Sequence, residues 1–163
     1  MSNLFISDIY NPPKNFDNEY FHFRVLEGKI AELDFEAVMS SQKRLQGIFG
    51  SDSQWPKSDM TLEENIDSLN VHKQEFESRQ AFAYSVFNES KTKCLGSVYI
   101  DPSDSPHYQC GVYLWVRDDS IELDNDLYQT VHKWLYEEWG FSKVAFPGRC
   151  ILWKDWNKEL SLG

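Results

Sequence analysis

The 163-residue sequence predicts one α/β (α+β) domain, a mixed and mainly antiparallel central sheet with helices on both faces. Three observations carry that prediction. The hydrophobic period changes from 3.6 to 2 after Arg79, so a helical segment gives way to strands. Three strand-like runs then follow one another across turn-forming residues, which makes an antiparallel meander. Last, a strand, a helix and a strand succeed each other between residues 109 and 146, and such a crossover sets two parallel strands side by side.

Residues 1–20 are rich in Asn, Asp and Pro without periodicity and read as an arm packed over the domain by Phe5, Ile9 and Tyr10. The first strand is FHFRVLE, residues 21–27. From Ala31 to about Phe49, apolar residues at Phe35, Val38, Met39, Leu45 and Phe49 recur at helical spacing, and the segment 47–60 is a loop. Thr61 followed by Glu64 makes a capping box, in which each side chain satisfies the other's free backbone N–H, and opens a helix with Leu62, Ile66, Leu69 and Phe76 on its buried stripe. Phe82, Tyr84 and Val86 alternate along the next strand. KCLGSVYI and QCGVYLWV are the strands after it, separated by the turn DPSDSPHY. A helix from about Asp124 to Trp139 carries Leu127, Val131, Trp134 and Leu135 on one face and Tyr128, His132 and Trp139 on another, implying burial on both sides. Gly140 ends it, FSKVAF (141–146) is the last strand, and residues 150–163 form a tail around the aromatic run ILWKDW.

Sixteen Lys and Arg against 26 Asp and Glu give a net charge of −10, and the basic residues never cluster beyond pairs. Nucleic acid and anionic membrane surfaces would repel such a chain. The first 16 residues lack a basic start and a continuous apolar segment, and GVYLWV falls far short of the roughly 20 residues that span a bilayer. Cys94, Cys110 and Cys150 are odd in number and widely spaced, which suits reduced thiols in a cytoplasm better than disulfides or zinc.

The stretch RDDSIELDND, residues 117–126, joins a strand to a helix where phosphate cradles form, because a helix start offers free N–H groups and the positive end of its dipole. Here five acids face one cation, Arg117, and no glycine lets backbone approach a ligand. Asp124 or Asp126, the latter with Gln129 at capping-box spacing, takes the place an external anion would fill. The loop therefore reads as self-filled, or as a weak phosphate site.

From Phe21 to Gly148 the succession resembles the GNAT superfamily of acyl-CoA-dependent N-acyltransferases. The residues carrying the likeness are Trp55–Pro56, TLEENIDSLNVHKQEFESR, AFAYSV, LGSVYIDP, Trp115 to Arg117, DLYQTVHKWLYEEW and FPGR. The resemblance implies a V-shaped opening between the strand ending at Val116 and the one starting near Phe141. Acetyl-CoA would pair its pantetheine arm with backbone at Leu114, Trp115, Val116 and Arg117 and set its pyrophosphate at the following helix start, near Asn125 and Asp126. An amine of a small molecule or peptide would be the acceptor, with Trp55, Tyr84, Tyr99 and His107 as candidate lining. Two departures stand out: the family's R/Q-x-x-G-x-G/A loop is absent, and QCGVYLWV has no acid. The sequence assigns neither general base nor proton donor. It leaves open a GNAT-fold binding module without cofactor chemistry, and a homodimer built on ILWKDW.

Overall fold

A computed structural model describes residues 5–162. Six strands form one sheet in sequence order: β1 (Asn15–Asp17), β2 (His22–Val25), β3 (Phe82–Phe87), β4 (Cys94–Pro102), β5 (Cys110–Val116) and β6 (Val144–Ala145). Every neighbouring pair is antiparallel except β5 with β6, the parallel pair that the crossover requires. Helices α1 (Ala31–Ser40), α2 (Gln42–Leu45) and α3 (Leu62–Glu77) precede the meander, α4 (Asp124–Glu137) makes the crossover, and α5 (Trp153–Ser161) follows β6.

Alternation on the strands builds two cores, one on each face. Phe82, Tyr84 and Val86 join Val112, Leu114, Leu127 and Val131 beneath α4. Ala83, Phe87, Tyr99 and Trp115 join Val38, Leu45 and Leu69 beneath α1 and α3. The capping box at Thr61 forms as expected, the Glu64 N–H donating to Thr61 Oγ1 at 3.1 Å.

Several expectations are corrected, each by a tertiary hydrogen bond or contact. Residues 15–17 of the arm are a strand, whose Phe16 stacks on Trp134. Phe5 and Tyr10 do pack on the domain, against Phe82 and Trp139, but Ile9 is 92% exposed and Ile6 is the buried residue instead. The helix read from Ala31 to Phe49 breaks at Ser41, whose buried hydroxyl accepts from the Asp118 N–H at 2.8 Å. The last strand shrinks to two residues because the Gln109 side chain takes the Ser142 and Lys143 N–H groups and a turn closes on the Phe146 carbonyl. On the second face expected for this helix, Trp139 is buried and Tyr128 packs on Phe146, whereas His132 is exposed. The run ILWKDW is mostly helix, with Trp156 buried.

Candidate active site

The parallel pairing of β5 with β6 stops after Gly111 and Ala145, leaving the β5 edge from Val112 to Val116 without a strand partner among the described residues. The Arg117 N–H donates to the Leu95 carbonyl at 2.8 Å, in register with the β4–β5 ladder. Antiparallel alternation therefore turns the backbone groups of Val112, Leu114 and Val116 away from β4 and toward the open side. A slot of about 320 Å³ lies there, walled by Val112 to Leu114, Gly47, Ile48, Pro147, Gly148 and Trp153. Arg44 and Arg149 stand at it together with Asp124.

The acidic loop is closed by ion pairs, not by helix capping. A 3₁₀ turn, Asp118–Leu123, feeds α4 directly, and Leu123 at the cap position supplies no side-chain bond. The expected caps at Asp124 and Asp126 are thus absent. Asp124 instead accepts from Arg149 at 2.6 and 3.0 Å. Asp118 pairs with Arg44, and Asp119 pairs with Lys93 at 3.2 Å and with Arg117 at 2.7 Å. Arg117, itself buried, also holds Glu36, whose carboxyl that bond keeps below its ordinary range. Arg44 donates in addition to the Val116 carbonyl, so that acceptor on the open edge is occupied.

On the α1/α3 face a second space of about 620 Å³ opens between Asp34 of α1, Asn65, Leu69, His72 and Glu75 of α3, Tyr99 and Asp101 of β4, and Phe49 and Trp55 of the loop. Phe49 packs against Trp55, Tyr99 and Tyr113 with ring centroids 5.3, 4.9 and 5.6 Å apart. Tyr113 walls the slot and Phe49 walls the cavity, so this aromatic contact stands between the two spaces. Burial pushes the Asp34 carboxyl up to about 6, against a hydrogen bond from Asn65 Nδ2 at 2.9 Å. Burial, then the charge of Glu75, does the same to Asp101, also to about 6. Burial holds His72 below its ordinary value despite Glu75 beside it. Tyr113 is pushed up by burial and then by Asp101, so its hydroxyl keeps its proton.

Of the residues expected to line an acceptor site, Trp55 and Tyr99 stand on the cavity. Tyr84 and His107 do not. Tyr84 faces the α4 side, its hydroxyl donating to the Pro13 carbonyl at 2.6 Å, because even-numbered β3 residues point there. His107 is exposed and held by Glu159 at 2.7 Å, in contact with α5. Among the residues expected to hold a cofactor, Leu114 lines the slot, Trp115 points to the opposite core and donates to the Tyr99 hydroxyl, and Asn125 and Asp126 are exposed in the first turn of α4. Asp34, Asn65, His72, Glu75 and Asp101 were not singled out by sequence. Asp34 left a signal, an acid three residues after Ala31 and four before Val38 on the apolar stripe of its helix.

No family model and no curated protein matches the chain. Solved structures do. A ribosomal-protein-S5-alanine acetyltransferase from Vibrio fischeri aligns over 90% of this chain and 81% of its own, with 14% identity and a TM-score of 0.62. A ribosomal L7/L12 alpha-N-protein acetyltransferase in complex with coenzyme A aligns over 74% and 67%, with 11% identity and a TM-score of 0.57. A spermidine N-acetyltransferase from Vibrio cholerae, in complex with CoA and spermine, aligns over 78% and 70%, with 10% identity and a TM-score of 0.55. The chain has the GNAT acyl-CoA N-acyltransferase fold. At these identities the likeness extends to the fold alone.

Proposed function

We propose that the chain is an acetyl-CoA-dependent N-acetyltransferase that works on an amine held in the 620 Å³ cavity. The observation carrying this reading is the unpaired β5 edge at Val112 and Leu114, facing a slot whose wall residue Tyr113 packs on Phe49 of the cavity wall. A pantetheine amide chain suits such an edge because it can replace the missing strand's hydrogen bonds. In place of a glycine-rich loop, Arg44 and Arg149 would turn from Asp118 and Asp124 to the cofactor's phosphates, exchanging one anionic partner for another.

In the reaction the amine nitrogen attacks the thioester carbonyl, a C–N bond forms and the C–S bond breaks. Asp101 takes the proton that the nitrogen loses, and Tyr113, kept protonated by burial, gives its own to the departing thiolate. Asp101 must be ionised to act, so the rate should rise as pH increases through about 6. Replacing it, Asp101→Asn, should lower kcat by a factor on the order of 100 or more. A second reading, a binding module without acyl transfer, is favoured by the ionic closure of the loop and by Arg44 on the Val116 carbonyl.

Titration of acetyl-CoA at low salt separates the two. The enzyme reading expects a rise in melting temperature, weakened by Arg44→Ala and Arg149→Ala, and thiol release when an amine is added. No shift at millimolar acetyl-CoA would leave only the module.

A further inference from the structure

We infer that the cavity between α1, α3 and β4 accepts an extended aliphatic amine carrying at least two positive charges, a linear diamine or triamine. Which of its nitrogens reacts rests on the acyl-transfer reading above. Three elements each supply one carboxylate to the lining, Asp34, Glu75 and Asp101, and among the described residues no lysine or arginine lines it.

A second observation singles out the cavity from an ordinary acidic surface. Asp34 is only 2% exposed, and among the described residues only Asn65 Nδ2 donates to its carboxyl group, at Oδ2. Its other oxygen has no hydrogen-bond partner among the described residues, on a residue that lines the space. A carboxylate so far removed from water is costly as an anion, and a cation brought to it offsets that cost. An ammonium fits, since it offers three donors on a compact charge. Burial disfavours the charged form of His72, so it competes little with a bound cation.

The wall chemistry selects what joins the charges. Phe49, Trp55, Leu69 and Tyr99 present aromatic and aliphatic surface, which suits a methylene chain and lets a ring face an ammonium. Asp101 lies opposite Gly111 on β5 and acts on Tyr113 of the slot wall, so the nitrogen nearest it is the one placed to react. Asp34, buried beneath α1, takes the second nitrogen, and the half-buried Glu75 takes a third where there is one. A monoamine would satisfy one carboxylate and leave the others unpaired.

Calorimetric titration of the full chain at low salt, without acetyl-CoA, tests this with spermidine, 1,4-diaminobutane and n-butylamine. Spermidine and the diamine should bind at least tenfold more tightly than n-butylamine. Asp34→Asn and Glu75→Gln should each weaken spermidine several-fold and leave n-butylamine nearly unchanged. Glu75 is partly exposed, so its variant keeps the test valid if Asp34→Asn does not fold. Equal affinity for the three amines, no binding of spermidine, or no loss in Glu75→Gln would overturn the inference. Thiol release from acetyl-CoA is read separately. Tight spermidine binding without it supports the cavity and counts against acyl transfer. Release as fast with n-butylamine as with spermidine supports acyl transfer and sinks the charge requirement.

Discussion

At Asp34, burial raises the folded-state value to about 6, against an ordinary 3.8. A carboxyl with a raised folded value favours folding in its protonated form. Its stabilisation is complete below about pH 4 and is lost as pH rises through about 6. At about 1.36 kcal/mol per unit, the loss at neutral pH is on the order of 3 kcal/mol. Asp34→Asn retains an oxygen for Asn65 Nδ2 and removes the titration. The variant should match the wild type near pH 4 and exceed it by roughly 1 to 3 kcal/mol at pH 7.5 in urea unfolding. An unchanged difference between the two pH values would show that Asp34 ionises without penalty. Residues of this kind were legible only in part. Asp34 sits on an apolar stripe that could have betrayed it, whereas Asp101 precedes Pro102 and reads as turn chemistry until the ladder opposite Gly111 is known.

Elements whose stabilising contacts are local were readable along the chain. The α3 start is one. Thr61 and Glu64 close the capping box within four residues, so the signal and the structure coincide. Thr61→Ala should cost about 1 kcal/mol, checked by chemical unfolding, and should leave the cavity residues near Leu69 and His72 in place. The break between α1 and α2 and the shortness of β6 were not readable. Each depends on a partner far along the chain: Asp118 reaches back 77 residues to Ser41, and Gln109 blocks Ser142 and Lys143. The acidic loop shows the same limit. Its carboxylates look like helix caps by spacing, yet Arg44, Lys93 and Arg149 engage them instead, and only the folded chain brings those cations near.

Across the whole molecule, one sheet separates and joins two cores, since β3, β4 and β5 contribute alternate side chains to both. Losing either core strips one face of the same strands, so the two should melt together. Leu69→Ala on the α3 side and Leu127→Ala on the α4 side should each lower stability by about 2 to 5 kcal/mol within a single transition. Two separate transitions in calorimetry would show independent halves. The sheet's outer margins are β1, three residues long with Asp17 engaged by Arg24 and His22, and β6, two residues long. Borders this brief offer little template for another chain to add on, and fibril growth by lateral strand recruitment should be disfavoured even at high concentration. The longer bare ribbon of peptide groups, at Val112 and Leu114, is kept inward, reachable by a slender guest and shielded from a neighbour's bulk.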